Sequence, residues 1–499
     1  MKHVQLLLAL GAVCSLAWPN MAQAAEKHLT LLFTNDTHNR LDPFQHVELK
    51  QEVGGLVRRA HYIQQVRREN PLTVVLDAGD VFQGTPYYNF YLGEPDIKGM
   101  SQIGYHAMTV GNHDLDNGVS NLKKQMTHAN FPVLNANIYN AKTQKRVFKP
   151  YHIIETQGVK IGVIGLMSEH AWQAVASANR EGYQLKDPFA TANEIVPMLR
   201  PQVDLVVSLH HMGIWDDEKY PKKVPGVDIV VGGHSHTQMD HARLIKNGNT
   251  NGIGGTLMQQ AYYMGVYVGR MDLKIDTDTD KILSYTSGLE LMSSKYDKEP
   301  VATMLNSYGD KLKDSMDKKI GMALDGMSTD GKYNGPFALG SLIADIIRSS
   351  ENTDIGIMNT GGVRSDLPQG PITVRTMYEI MPFDNAITTF RMQGKDLRKI
   401  VQTSASRLGV SKNLQFSGLV YTVKDKNVTT IFHRGKPLED NRWYTVAAPG
   451  YVYEGNEAIS FEAAKSGRTT GKLIRDVLID YVKQNPQIRA PQDKRMIRE

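Results

Sequence analysis

Cysteine is almost missing from this chain. The one cysteine in 499 residues, Cys14, lies in the N-terminal segment, so a mature chain starting near Ala25 has no disulfide and no thiolate. That excludes a disulfide-stapled scaffold and a soft thiolate metal site, and leaves stability to ordinary apolar cores. Concentrated positive charge is also lacking. The formal net charge is +5 with no dense Lys/Arg block, so a nucleic-acid partner is not indicated. No internal repeat and no low-complexity segment interrupts the sequence. The apolar run Val4 to Trp18 is short for a membrane span and has no stop-transfer flank, so no stable membrane insertion is expected once it is removed.

That run fits a targeting signal. Lys2 and His3 precede it, and Ala22-Gln23-Ala24 follows as a small-x-small cleavage site, giving a signal peptide over 1–24. Val13 before Cys14 is a poor match to a lipid-attachment box. Export without disulfides points to a bacterial periplasm or the medium. The remaining composition, 41% hydrophobic and 22% charged, is that of a soluble globular protein, and the length calls for two or three domains.

Apolar strand-like runs alternate with amphipathic helix-like stretches in the first half. Leu29 to Thr34, Thr73 to Leu76, Tyr105 to Val110, Ile161 to Leu166, Asp204 to Leu209 and Val227 to Val231 read as strands. Gly55 to Glu69, with Leu56, Ala60, Ile63 and Val66 on one face, and Val119 to His128 read as helices. Gly255 to Asp276 adds closing strands. This alternation predicts an α/β layered domain over 25–297. Glu299 to Lys319 places Val301, Met304, Leu305, Tyr308, Leu312 and Met316 on one helical face, which predicts a linker helix over 298–319. A second domain over 320–499 should hold helices at Leu339 to Ser349 and Thr470 to Gln484, with strands at Ile387 to Met392 and Gly418 to Val423.

Six short segments share one layout, an apolar strand running into a loop of oxygen and nitrogen donors. They are Asn35-Asp36-Thr37-His38, Gly79-Asp80, Gly111-Asn112-His113-Asp114-Leu115-Asp116, His210-His211, Gly232-Gly233-His234-Ser235-His236, and Asn359 to Arg364. A single histidine near a strand end is ordinarily structural. His210 and His211 show the ambiguity, since neighbours on a strand point to opposite sides. The joint occurrence is the signal. In open α/β sheets, loops at the carboxyl ends of strands converge on one site, so the first five segments predict a two-metal centre.

The donors are carboxylates, imidazoles and one amide, a set suited to Mn, Zn, Co, Fe or Mg. Asp80 is the expected bridge between two ions about 3.5–4 Å apart, which would activate a water and neutralise a phosphoryl group. His113 is expected to stay off the ions and donate to the reacting phosphate or its leaving oxygen. Asp116, three residues on, would orient it if a helix begins there.

Together these segments resemble the calcineurin-like metallophosphoesterase family, whose pattern is D-x-H, G-D, G-N-H-[DE], H and G-H-x-H in that order. The whole chain is similar to the bacterial secreted 5′-nucleotidase and UDP-sugar hydrolase group. The resemblance implies a four-layer αββα metal domain, a helix linker and a C-terminal α/β nucleotide-binding domain. It assigns Asp36, His38, Asp80 and His236 to one metal site and Asp80, Asn112, His211 and His234 to the other, with His113 and Asp116 as the catalytic pair. Some nucleotidases carry Gln at the position of His236, so the metal preference can differ.

In the second domain, Asn359, Gly361, Gly362 and Arg364 resemble an N-x-G-G-x-R segment that holds phosphate or nucleotide, and a guanidinium fork suits phosphate oxygens. Pro382-Phe383-Asp384-Asn385 resembles P-F-x-N, implying that Phe383 stacks on a base and Asn385 contacts it. Two departures follow. The second aromatic and G-G-D-G are replaced by Tyr451-Val452-Tyr453-Glu454-Gly455-Asn456-Glu457, where Tyr451 or Tyr453 would supply the ring and Asn456 the ribose contact. The arginines before the L-G-x-L-x-A-D helix are replaced by Asp330-Gly331-Lys332-Tyr333-Asn334. The expected activity is release of phosphate from nucleoside 5′-monophosphates. UDP-sugars or cyclic nucleotides are the alternative substrates, and a non-enzymatic secreted nucleotide-binding protein is the third reading.

Overall fold

The computed structural model describes residues 26–46, 49–297, 302–410 and 412–499. The signal over 1–24 and the start of the linker stretch, Glu299 to Val301, lie outside the described residues.

Two six-stranded sheets stack face to face in the N-terminal domain. The first has the order Lys281–Leu291, Tyr267–Asp276, Glu26–Thr34, Thr73–Asp77, Ala107–Thr109, Val133–Leu134, and its last four strands run parallel. The second has the order Arg243–Lys246, Gly255–Gln259, Ile229–Gly232, Leu205–His211, Val159–Met167, Tyr151–Thr156, with its middle four strands parallel. Parallel strands buried on both faces carry near-continuous apolar runs, as Val74, Val75 and Leu76 do in the first sheet and Leu205, Val206 and Val207 in the second. On Glu26–Thr34, Leu29, Leu31 and Phe33 face the other sheet while Leu32 faces helices.

Leu76, Val163, Val207, Leu209 and Val231 fill the space between the sheets. Removing one such leucine to alanine costs about 2–5 kcal/mol, because the cavity left cannot collapse between two rigid sheets. Helix Leu56–Glu69 buries Leu56, Ala60, Ile63 and Val66 at the spacing read from the sequence, and packs with helices Glu94–Ile103 and Gly118–Met126 on the outer face of the first sheet. Helix Pro188–Leu199 covers the outer face of the second sheet through Ile195, Val196 and Leu199. The layers are therefore helix, sheet, sheet, helix.

Helix Ala302–Met316 packs Leu305, Leu312 and Met316 against this domain, and its Tyr308 ring meets Tyr91 edge-on at 4.8 Å. It stops before Lys319, which already belongs to strand Lys319–Ala323.

The C-terminal domain is built on a five-stranded sheet of order Leu414–Ser417, Ile355–Asn359, Trp443–Pro449, Ala386–Gln393, Lys465–Leu473. Helices Ala338–Ser350 and Ile474–Gln484 close one core and helix Gly394–Ser406 another. One expectation is corrected here. Thr470 to Leu473 is strand, because Thr469 and Leu473 pair with Thr388 and Ala386, and the helix starts only at Ile474. Cross-strand pairing outweighed the apolar spacing of that stretch.

Candidate active site

The five donor loops leave the carboxyl ends of parallel strands on both sheets and meet at one end of the sandwich. The turns there are tight. Asp36, His38, Asp80, His234 and His236 all adopt positive φ, a region costly for residues with a side chain. A Cβ on Gly79 would stand 2.6 Å from the Gly111 nitrogen, so only glycine lets these two loops touch. Asp114 ties them together. Its buried carboxylate accepts from the backbone N–H of Asp80, Val81, Phe82 and Gly111 at 2.8–3.1 Å. Burial, then the charge of Asp80, pushes Asp114 up to about 7. Sequence reasoning passed over Asp114; its place inside the Gly-Asn-His-Asp run was the available signal.

Two groups of ligand atoms result. Asp36, His38 and His236 offer three atoms within 4.8 Å of one another, and Asp80, His211 and His234 offer another three. The donors fit a cation. His38 Nε2 and His236 Nε2 face each other at 3.1 Å, and His236 Nε2 lies 3.4 Å from Asp36 Oδ1. Burial, then the Arg364 charge, holds His38 well below the ordinary histidine range, so its lone pair is available. Burial likewise lowers His236 and His234.

In the second group, His211 Nδ1 lies 2.8 Å from the Ala78 carbonyl. Nε2 is thereby left 3.1 Å from Asn112 Oδ1 and 3.2 Å from Asp80 Oδ2. Burial opposes a charge on His211, but the Asp80 carboxylate raises it to about 10, so an ion entering here must displace a proton. Burial works to raise Asp80, and the charges of His211 and His113 overcome it and hold it well below the usual carboxylate range.

The neighbouring histidines part company as strand geometry requires. His210 points away from the donors, into a buried set with Asp217 at 2.9 Å and Ser208 at 2.8 Å. Neither end of that Ser-His-Asp array reaches solvent or the cavity.

His113 lies beside both groups. Its backbone N–H donates to Asp80 Oδ1 at 2.7 Å, and Nδ1 sits 2.9 Å from Asp116 Oδ2. The turn is a short 3₁₀ helix, His113–Leu115, not an α-helix, yet the three-residue spacing still brings the pair together. The His113 ring is 5.3 Å from that of His38 and 5.7 Å from that of Phe383.

The cavity in front of these residues has a volume of about 650 Å³ and is walled by both domains. From the C-terminal domain it receives Asn359, Gly361, Gly362, Arg364, Phe383, Asn385 and Tyr451. The Arg364 guanidinium lies 6.0 Å from the Phe383 ring centre. Tyr451, not Tyr453, is the ring that reaches the cavity; Tyr453 packs on Phe390 and Phe461 in the core.

Asn456 is a correction. It is not in the cavity wall, because its amide donates to the Tyr451 carbonyl and Glu454. The next residue, Glu457, lines the cavity, and its Oε1 accepts from Asn359 at 2.7 Å. Lys332 also lines it, with Nζ donating to the Val363 carbonyl at 2.8 Å. Gln83, another wall residue that sequence reasoning missed, has both amide atoms buried with no partner among the described residues.

Comparison with known proteins identifies both halves of the chain. Residues 29–238 match the calcineurin-like phosphoesterase family, and 318–466 match the 5′-nucleotidase C-terminal domain. A 5′-nucleotidase of Vibrio cholerae is 29% identical over 536 aligned residues, covering 97% of this chain and 95% of that protein. Protein UshA of Yersinia enterocolitica is 28% identical, covering 97% of each. The crystal structure of a 5′-nucleotidase precursor from Thermus thermophilus superposes with a TM-score of 0.87 at 28% identity, over 95% of this chain and 99% of that one. Calcineurin-like phosphoesterases use divalent metals, and both donor groups described above could hold one. The chain thus joins a calcineurin-like phosphoesterase domain to a 5′-nucleotidase C-terminal domain, and it is a phosphoric ester hydrolase of the 5′-nucleotidase type.

Proposed function

We propose that the chain is an exported two-metal phosphohydrolase that releases phosphate from nucleoside 5′-monophosphates. The observation that carries this reading is a single cavity with two donor groups and His113 on one wall, and Arg364, Phe383 and Tyr451 on the other. The first wall suits a phosphate and the second a flat base. Asp36, His38 and His236 would hold one ion, and Asn112, His211 and His234 the other, with Asp80 between them. When bound, two divalent ions lower the pKa of a water and neutralise charge on a phosphoryl group. Mn, Zn, Co, Fe and Mg all suit these donors.

The chain's own groups do the rest. Arg364 clamps the phosphate and offsets the negative charge that spreads over its oxygens during transfer. His113 hands a proton to the departing ribose oxygen, and Asp116 keeps the imidazole turned towards it. Phe383 and Tyr451 stack on the base, which tolerates different bases. Glu457, beside Asn359, is the acceptor for a sugar hydroxyl.

A second reading, cleavage of a nucleoside diphosphate sugar, is favoured by the extra room where Trp215, Val410 and Lys412 also line the cavity. The experiment is a panel of AMP, UMP, UDP-glucose, cyclic AMP and an aryl phosphate, run ion-free and with added Mn, Zn, Co or Mg. The proposal expects the monophosphates to show the highest kcat/KM. Preference for UDP-glucose would replace it with the second reading, and equal rates on the aryl phosphate would remove the nucleotide role.

A further inference from the structure

His170 has no place in the segments that make up the two donor groups, yet it touches one of them. Its Nδ1 lies 2.7 Å from Nε2 of His234. It sits in the short helix Glu169–Trp172, which follows the end of strand Val159–Met167 and is capped by Ser168 accepting from Ala171. Its ring stands edge-on to His234 at 5.0 Å and to Trp215 at 5.5 Å, so it is held between the donor group and an aromatic wall.

Two nitrogens on one ion at about 2.0–2.1 Å in a tetrahedral site stand roughly 3.3 Å apart, so a 2.7 Å separation marks a hydrogen bond rather than shared coordination. One of the two nitrogens must carry the proton. A neutral imidazole has one N–H and one lone pair. If His234 is to give a lone pair to an ion, and its Nε2 is turned to His170, then Nδ1 is the ligand atom and Nε2–H is the donor. His170 Nδ1 is then the acceptor. His211 shows the same logic through the backbone, where the Ala78 carbonyl faces Nδ1 and leaves Nε2 for the ion.

We propose that His170 is a positioning residue that fixes the tautomer and ring orientation of His234 for the ion shared with Asp80 and His211. Outer partners of this kind are usually carboxylates or carbonyls, and their loss typically costs 10–100-fold in metal affinity. The inference rests on the two-metal reading of the site.

The test uses the full chain, stripped with chelator and titrated with Zn or Mn against a competing chelator, and reads stoichiometry and both affinities. Two variants separate positioning from packing. His170→Asn keeps an acceptor oxygen where Nδ1 stands but loses the ring. His170→Phe keeps a ring against Trp215 but loses the acceptor. The expected result is two ions in the wild type, affinities within a few-fold of it in His170→Asn, and one ion weakened about 10–100-fold in His170→Phe with the other unchanged. Unchanged affinities in His170→Phe, or an equal loss in both variants, would overturn the role of His170. A wild type that takes up fewer than two ions would overturn the two-metal reading itself, and this proposal with it.

Discussion

Nη2 of Arg364 lies 3.0 Å from Nε2 of His38, although 326 residues separate them. A guanidinium can only donate, so it points at the lone pair of an imidazole in the first donor group. Arg40, two residues past His38, reaches the other way, to Ser365 at 2.9 Å and Glu379 at 3.1 Å. Arg364 and the donor loops are thus bound to one another across the domain boundary.

Arg364→Ala should lower kcat/KM for AMP about 10–100-fold, in line with roughly 1.5–3 kcal/mol for a hydrogen bond to a charged group. Ion content should stay at the wild-type value. Steady-state kinetics with metal analysis checks both, and loss of an ion would show that the arginine supports the donor loop instead.

His113→Ala should cut kcat by about 10²–10⁴ with little change in KM, the range for loss of a positioned proton donor. Asp116→Asn should cost less, since only the orienting contact at 2.9 Å changes. A loss concentrated in KM would contradict the assignment.

His210 and His211 should separate cleanly. His210→Leu leaves Asp217 buried without its imidazole partner, and a buried polar group that loses a hydrogen bond costs about 1–3 kcal/mol. Its ion content should survive. His211→Leu should lose an ion. Denaturant unfolding and metal analysis of the two variants give opposite patterns if the side chains act as described.

Lys332 predicts a pH dependence. Burial, then the Arg364 charge, lowers it from 10.5 to about 7, against the opposing pull of Asp366 and Asp330. His236 also senses its charge, and its Nζ stands 5.4 Å from the Tyr333 ring. As pH rises through 7 the ammonium is lost, so kcat/KM for AMP should fall, by tenfold or more when deprotonation is complete. Lys332→Arg should flatten that limb. The linkage runs the other way for stability. The unfolded chain keeps this proton up to 10.5 and the folded chain releases it near 7, so this group makes the fold more stable as pH rises between those values. A kcat/KM profile that falls identically in both proteins would dismiss Lys332 as its source.

If Glu457 accepts a sugar hydroxyl as proposed, Glu457→Gln should raise KM for nucleotides and leave an aryl phosphate, which has no sugar, unaffected. Asn456→Ala should change neither. Parallel kinetics on AMP and the aryl phosphate compares them, and a larger effect at Asn456 would reverse the assignment.

Local chemistry determined much of this protein before any contact was known. Unbroken apolar runs such as Ile161 to Leu166 had to be buried strands, since nothing on them tolerates water on either face. The spacing of Leu56, Ala60, Ile63 and Val66 had to be one side of a helix. The Asp-x-His, Gly-Asp, Gly-Asn-His-Asp and Gly-His-x-His loops carried their donors in the open, because ligand chemistry admits few residue types. The tertiary structure alone decided what depends on distance and facing. It turned His211 to the site and His210 to Asp217, since alternation along a strand leaves the starting side undefined. It chose Tyr451 over Tyr453 and Glu457 over Asn456, because a one-residue shift in a loop reverses which side chain meets the cavity. It brought His170 to His234 and Arg364 to His38, pairs whose members belong to separate elements and whose meeting no sequence spacing encodes.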